Sequence, residues 1–291
     1  IRLISDAVCS VSVGTNPTAT TSMLRIAADS PEYFKVAPGQ KISVIANLGL
    51  IAKAIGILRS YGADAHVYIP GVGTISGITA GNYLDSAGTT SASVDNPVGL
   101  VVDSFGSINA TQGTTANKPI LRQSGGNYSW QFDGSNDSLS LSAPLFQMSD
   151  DHCVIAGAKV ESIAGFQTVF SEEGTGRIQI RYENGTVQFL WLGASTGTNF
   201  QTSETYVNTT IVIAARNSAG TKTSRINGEI KNTDSTATDT PNMTSANIGC
   251  WASNNYMFGH LYPIIAIKGT LSDSDLLVLE RFVGQLSGVQ I

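Results

Sequence analysis

The chain has 291 residues, a length that suits one large domain or two of ordinary size. Hydrophobic residues make up 42%, enough for a normal core, whereas charged residues make up only 13%, well below the roughly 25% of an average soluble domain. The net charge of −5 and the lack of a basic stripe exclude the electrostatic pattern of a nucleic-acid-binding protein.

The residues that take the place of charge are Ser, Thr, Asn and Gly. Thr favours strands, and Asn and Gly favour turns, so the composition predicts a mainly β fold with many turns. The same low charge suits surfaces that are buried in an assembly, because charged residues are depleted at the centres of interfaces. Both interpretations are compatible.

The three cysteines, Cys9, Cys153 and Cys250, are odd in number and widely spaced, which predicts buried free thiols rather than a disulfide framework. No Cys-x-x-Cys pair is present, so we predict no structural zinc. The first fifteen residues lack the apolar segment of a secretory signal. The most apolar stretch, 42–58, is shorter than a membrane span needs, and we predict no membrane insertion.

The front of the chain predicts a small β-rich region, with an α+β arrangement as the alternative. Pro38-Gly39 predicts a turn between two short strands. Apolar residues at helical spacing follow over 48–58, although β-branched residues and glycines leave a strand open there.

A turn-rich connector separates this front region from the rest. A predicted strand over 65–69 ends at Pro70-Gly71, and glycines recur over 71–88. We therefore place the domain boundary near residue 80, giving an N-terminal region with connector at 1–80 and a second domain at 81–291.

Strand and turn signals alternate along the second domain. Asn184-Gly185 and Asn227-Gly228 predict tight hairpins, because Asn-Gly accepts the positive φ angles of primed turns. Many short strands at regular spacing, with turns between them, predict a sandwich or jelly roll. The predicted strands are 128–132, 139–141, 154–160, 168–170, 177–182, 187–192, 209–215, 224–226 and 258–267.

The last twenty residues follow a different pattern. Leu276, Leu279 and Phe282 recur at helical spacing after Ser272, a suitable N-cap, and before Gly288, a suitable stop. We predict one amphipathic C-terminal helix that covers an open edge or one end of the sandwich.

Several segments of the second domain are scaffold motifs that occur together in a known group of proteins. They resemble phage and prophage virion proteins that carry a concanavalin A-like, laminin G-like domain, and the resemblance covers about residues 80–291 and, thinly, 36–42. The segments are Leu84–Thr90, Asp95–Asp103, Asn109–Gln112, Ala116–Arg122, Trp130–Asp137 and Phe258–Tyr262 with the final helix.

The resemblance implies a concanavalin A-like jelly-roll sandwich in a virion structural protein, placed as capsid decoration or near the tail. The N-terminal region would dock on other virion proteins, and further copies of the chain would be partners. The implied location is the virion, assembled in the host cytoplasm.

The acidic residues give no pattern for catalysis. A glycosidase needs an acid and a second carboxylate at a fixed separation. Glu172 and Glu173 are adjacent, so a strand would turn them to opposite faces, and Asp150-Asp151 lies in a predicted turn. We predict a protein that is not an enzyme.

The segment 251–256 offers aromatic side chains beside amides, the combination that a sugar site needs. Trp251, Asn254, Asn255 and Tyr256 are therefore the candidate glycan-binding residues. The alternative, which we favour, is that Trp251 packs on the end of the sandwich.

Other conspicuous residues have structural interpretations. Trp130 is expected in the core, and Trp191 is expected in the core or packed on the concave face. Asp133, Asn136 and Asp137 offer hard oxygens of the kind that calcium takes, but local turn hydrogen bonding is favoured and we predict no cofactor. In the run 177–181, two arginines alternate with isoleucines, which predicts one exposed arginine face.

Three functions remain open from the sequence. The leading hypothesis is the virion structural protein. The second is a glycan-binding module for adhesion to a host or cell surface, and the third is a polysaccharide depolymerase.

Overall fold

A computed structural model gives the three-dimensional structure of the chain. It describes residues 2–3, 9–15, 24–26, 32–33, 37–46, 49–75, 78–193, 195–236 and 242–291. The chain divides into two compact units, residues 1–55 and residues 56–291.

The first unit contains two small antiparallel sheets. One pairs β1 with β4, and in the other β2 lies between β3 and β5. The predicted turn at Pro38-Gly39 is present, with Gly39 at φ 84° and the Gln40 amide donating to the Ala37 carbonyl at 3.1 Å. The strands are β1 (Arg2–Leu3), β2 (Cys9–Gly14), β3 (Leu24–Ile26), β4 (Glu32–Tyr33) and β5 (Lys41–Ala46).

A helix, α1 (Leu50–Tyr61), follows and settles the helix-or-strand alternative in favour of the helix. A short 3-10 turn at Gly62–Asp64 leads into strand β6 (Ala65–Tyr68). The predicted strand at 65–69 is thus confirmed.

The second unit is a β-sandwich of two antiparallel sheets with one C-terminal helix, as the sequence predicts. A 3-10 turn also occurs at Thr115–Asn117. The elements after β6 are β7 (Gly73–Ile75), β8 (Ile78–Ala80), β9 (Asn82–Tyr83), β10 (Leu100–Val101), β11 (Ala110–Thr111), β12 (Ile120–Ser124), β13 (Asn127–Asp133), β14 (Leu139–Leu141), β15 (His152–Val160), β16 (Phe166–Gly174), β17 (Arg177–Glu183), β18 (Thr186–Leu192), β19 (Gly197–Thr205), β20 (Ile211–Ser218), β21 (Thr221–Ile226), β22 (Glu229–Asp234), β23 (Met243–Ile248), β24 (Phe258–Lys268) and α2 (Asp273–Ser287).

The two sheets of the sandwich differ in strand order. The nine-stranded sheet runs β19-β18-β17-β16-β23-β14-β11-β10-β9. The eight-stranded sheet runs β12-β13-β24-β15-β20-β21-β22, and β6 also pairs with β24. Because β13 pairs with the start of β24 and β6 with its end, the two strands share one edge of β24.

The core lies between the two sheets and follows the alternation of side chains along each strand. In β17, Ile178 and Ile180 point into the core, and in β18 Phe189 and Trp191 do the same. Trp130 of β13 is fully buried, which confirms the expectation for both tryptophans. The described cysteines, Cys153 and Cys250, are buried free thiols as predicted, while the side chain of Cys9 lies outside the described residues.

Trp191 also fixes the protonation of a buried histidine. Its indole donates to His152 Nε2 at 3.0 Å, so the proton of the neutral ring lies on Nδ1, which donates to the Asp150 carbonyl at 2.8 Å. Burial lowers the pKa of His152 to about 4, which keeps the ring in this neutral form at pH 7.

Helix α2 begins and ends where its sequence predicts. The Ser272 hydroxyl accepts from the Asp275 amide at 3.1 Å, and Gly288 closes the helix in the left-handed region at φ 76°.

The position of α2 differs from the predicted edge or end of the sandwich. The helix packs on β13, β15, β20 and β24, so it covers the outer face of the eight-stranded sheet. The physical reason lies in β15, where apolar residues on both faces are buried and each face needs a cover.

A buried ion pair fastens α2 to this sheet. Glu280 of the helix is fully buried and accepts from Arg225 Nε of β21 at 3.0 and 3.1 Å. Arg225 Nη2 lies 3.0 Å from the same carboxylate and donates to the Gly228 carbonyl at 2.6 Å.

The segment 56–80 belongs structurally to the sandwich unit, whereas the sequence-based boundary near residue 80 placed it with the front region. The reason is the pairing of β6 with β24 from Ala65↔Ile267 to Tyr68↔Ile264. A docking role for the N-terminal region stays a prediction.

Candidate functional site

The loop between β23 and β24, residues 249–257, carries the predicted glycan-binding residues. It is a tight structure, in which the Trp251 amide donates to the Asn254 carbonyl at 2.9 Å and the Asn254 amide returns a bond of 2.7 Å. Ala252, Ser253 and Asn255 all have positive φ, at 48°, 55° and 51°. Non-glycine residues rarely adopt this left-handed backbone conformation, so contacts with the surrounding structure must stabilise the loop. Such stabilised, unfavourable backbone conformations are common at ligand-binding sites.

One side of this loop borders a pocket of about 360 Å³, which we call the Trp251 pocket. Its volume is at the lower end of the range for small-molecule sites. The lining residues are Glu173, Gly174, Thr175, Gly176 and Arg177 from the β16–β17 hairpin, Leu192 and Gly193 after β18, and Trp251 and Ala252 from the loop.

Arg177 lies over Trp251, with its guanidinium carbon 4.5 Å from the ring centroid. No hydrogen bond or ion pair joins this guanidinium to another residue in the described part of the chain. Partial burial lowers the pKa of Arg177, and no carboxylate in the described part of the chain forms an ion pair with it.

Glu173 is directly opposite Arg177 in the strand register, yet its carboxylate is held elsewhere. Its Oε1 accepts from Ser171 Oγ at 2.9 Å, Asn247 Nδ2 at 2.9 Å and the Ala252 amide at 3.0 Å. The last of these bonds ties the carboxylate to the loop. The pocket therefore has an acceptor on one wall and a stacked donor on another.

The other side of the loop borders a second pocket, of about 440 Å³, which we call the Tyr256 pocket. Phe166 and Phe258 both line it, and each is 39% exposed. The lining residues are Asp133, Gly134, Ser162, Ala164, Gly165, Phe166, Gln167, Asn255, Tyr256 and Phe258.

The four candidate glycan residues do not converge on one site. Trp251 lines the first pocket, and Asn255 and Tyr256 line the second. Asn254 lines neither, and its amide donates to the Ala252 carbonyl at 3.3 Å within the loop. Trp251 is half-buried against Arg177 and is not part of the core.

The arginine face of β17 differs from the exposed face that the sequence predicts. Arg181 is only 8% exposed, lies 4.0 Å over the Phe166 ring and donates from Nε to Gln188 at 2.7 Å. Alternation placed both arginines on one face correctly, but their aromatic partners come from other segments, which strand alternation alone does not reveal.

The acidic pair at the end of β16 is split between the faces, as predicted. Glu172 is fully buried, and its Oε1 accepts from the Leu145 amide at 2.7 Å. Burial raises the pKa of Glu172 to about 9, so the group is neutral at pH 7. Glu173 lines the Trp251 pocket, and Asp133 lines the Tyr256 pocket. Among the described residues, each is the one carboxylate in the lining of its pocket.

The calcium candidates take part in local turn bonding. Asp133 Oδ1 accepts from the Ser135 amide at 2.8 Å and the Asn136 amide at 3.2 Å, and Asp137 Oδ2 accepts from the Asp133 amide at 3.0 Å. Burial raises the pKa of Asp137 to about 6. Within the described ranges, no group of three or more His, Cys, Asp or Glu side chains is arranged to hold a metal ion.

The motif segments serve as scaffold. Asp85 accepts from the amides of Ala87, Thr89 and Thr90, and these bonds lower its pKa to about 2. The Trp130 indole donates to Asn82 at 2.6 Å, which anchors the start of the sandwich to its core. Of the helices that the structure describes, none is long and apolar enough to cross a membrane.

The architecture has clear parallels among solved structures. The binding domain of botulinum neurotoxin serotype G aligns over 62% of this chain and 48% of its own, with TM-score 0.50 and 13% identity. The fold is concanavalin A-like. The ligand-binding domain of botulinum neurotoxin serotype D, in complex with N-acetylneuraminic acid, aligns over the same shares with TM-score 0.50 and 15% identity.

The chain spans about half the length of the domains that it matches. At these identities the likeness concerns the fold of this lectin-like sandwich alone. No protein family and no curated protein matches the chain by sequence. The resemblance to phage virion proteins stays a prediction.

Proposed function

We propose that the sandwich is a carbohydrate-binding module whose ligand contacts the β23–β24 loop. The observation that carries the proposal is the Trp251 pocket, where an aromatic ring, a guanidinium and a carboxylate line one concave site. Sugars present apolar ring faces together with hydroxyl groups, so an aromatic platform beside polar groups suits them.

The Tyr256 pocket supports the same proposal from the other side of the loop. It combines the partly exposed rings of Phe166 and Phe258 with the polar side chain of Asn255. One of the similar structures was solved with N-acetylneuraminic acid, which makes a sugar a reasonable ligand to test here. A single carboxylate in each pocket favours binding over hydrolysis, which needs two.

We expect Trp251→Ala to weaken glycan binding roughly tenfold or more, because truncation removes the largest apolar side chain that lines the pocket. The measurement is a glycan array followed by titration of the best ligand, with circular dichroism to confirm folding. Ile230→Ala is the matched control, since Ile230 is 56% exposed on β22 and lines neither pocket.

Tyr256→Ala separates the two pockets in the same assay. A ligand confined to the Trp251 pocket keeps its affinity in this variant, and a ligand that spans both pockets loses part of it. No binding by the native protein to any glycan on the array would remove the proposal.

A second proposal concerns where the module works. We propose that it is a virion structural component, supported by the low charged fraction of 13%, the sequence motifs and the separate compact N-terminal unit. Mass spectrometry of purified particles is expected to detect the chain as a stoichiometric component. A chain found in infected cells but missing from purified particles would contradict this placement.

A further inference from the structure

We propose that the Trp251 pocket selects sugars that bear a carboxylate, and that Arg177 binds this carboxylate. This inference rests on the proposed carbohydrate binding and names the ligand class of the same site. It follows from how Arg177, Trp251 and Glu173 are placed relative to one another.

The guanidinium of Arg177 is positioned for an external partner. A planar guanidinium recognises a carboxylate through two parallel N–H···O bonds made by its edge. The guanidinium lies over the Trp251 ring, and no other described residue forms a hydrogen bond or ion pair with it, so its N–H groups are uncommitted. A half-buried cation without a counter-charge is stabilised by an anion that enters the pocket.

Glu173 is the obvious internal counter-ion, but the structure directs it elsewhere. Three donors converge on its Oε1, from Ser171, Asn247 and the Ala252 backbone. Glu173 and Arg177 are therefore opposite each other on adjacent strands without forming an ion pair. Arg177 remains available to bind an anion from outside.

The same carboxylate restricts which anions fit. An incoming anion meets the negative charge of Glu173, so its other groups must donate hydrogen bonds. Sugar acids do both, because they carry one carboxylate beside several hydroxyl donors. Phosphate and sulfate esters without neighbouring hydroxyls do not, and we expect them to bind weakly.

The walls of the pocket suit a compact polar ring. Gly174, Gly176 and Gly193 line the pocket with backbone and add no side chains to its wall. At Gly174 a methyl group would lie 2.0 Å from the Asn242 carbonyl oxygen, so this backbone cannot carry a larger residue without moving.

Arg181, the neighbouring arginine on the same face, does not share this role. Its Nε is already bonded to Gln188, and it is nearly buried under Phe166. The selectivity is therefore expected to depend on one arginine.

The test compares each acidic sugar with its carboxyl-reduced counterpart by titration calorimetry. The probes are glycosides of glucuronic, galacturonic and N-acetylneuraminic acid and the same molecules with the carboxylate converted to a primary alcohol. The native protein is expected to bind at least one acidic form about tenfold or more tightly than its reduced form, because charge-assisted bonds are roughly twice as strong as neutral ones.

Arg177→Gln is expected to abolish that preference, and Arg177→Lys, which keeps the charge but not the planar edge, to retain only part of it. Arg281→Gln removes the same charge from the exposed side of α2 and should leave the preference intact. Equal affinity for acidic and reduced forms overturns the inference and leaves carbohydrate binding standing. No binding of either form, or of any neutral glycan, overturns both.

Discussion

Arg225→Met is expected to destabilise the sandwich by about 3–5 kcal/mol, the usual cost of leaving a buried charge without its partner. Glu280 of α2 is fully buried, and three nitrogen–oxygen contacts of 3.0–3.1 Å to Arg225 compensate its charge. Burial raises the pKa of the Glu280 carboxylate, which has lost its cation in this variant. Without the ion pair, we expect α2 to bind the sheet less tightly. Urea denaturation followed by circular dichroism measures the change.

Two further variants show whether burial is the cause. Lys231→Met breaks ion pairs to Glu204 at 3.4 Å and Glu229 at 3.3 Å on the surface, where we expect a far smaller change. The double change Arg225→Met with Glu280→Leu removes both charges and should recover much of the lost stability. An Arg225→Met protein as stable as the Lys231→Met protein would show that the pair does not hold α2.

Glu172→Gln is expected to make the protein more stable than the native form above pH 5, by an amount that grows with pH. The folded protein keeps a proton on Glu172 up to a pKa of about 9, whereas the unfolded chain releases it near the ordinary value of 4.5. The native protein thus has this stability in full below pH 4.5 and loses it as pH rises toward 9.

The difference in the free energy of unfolding between the two proteins should grow with pH. Each pH unit changes the ratio of their folding equilibrium constants roughly tenfold, which gives on the order of 4 kcal/mol between pH 5 and 8. Other titrating groups, such as His152, are common to both proteins and cancel. Parallel urea titrations at each pH give the difference, and Ile230→Ala, which changes an exposed residue with no titrating group, is the flat control. A constant difference would mean that Glu172 is ionised in the folded protein.

Local signals in the sequence predict much of the fold. Asn184-Gly185 and Asn227-Gly228 have the positive φ angles that their hairpins require, at 51° and 83° and at 50° and 81°. Strands with apolar alternation, such as β17, were predicted within a residue or two. Strands β19 and β23 were not predicted, because Ser, Thr and Asn dominate them and their place in the sheet comes from neighbours far along the chain.

The site was predictable only in part. An aromatic residue among amides marked the loop at Trp251, but Arg177 and Glu173 lie some 75 residues earlier on a hairpin that the nine-stranded sheet brings beside it. That convergence depends on the pairing of β16 with β23, a long-range contact with no local sequence signal.

The central place of β24 affects how the protein is made. This strand is hydrogen-bonded to β15 on one edge and to β13 and β6 on the other, so it completes the eight-stranded sheet. A ribosome releases it after the other strands of this sheet that the structure describes, and until then the nascent chain exposes apolar β-strands without their central partner. Folding of the sandwich therefore waits until β24 has been synthesised, and such non-local pairing makes it slow and dependent on protection from aggregation.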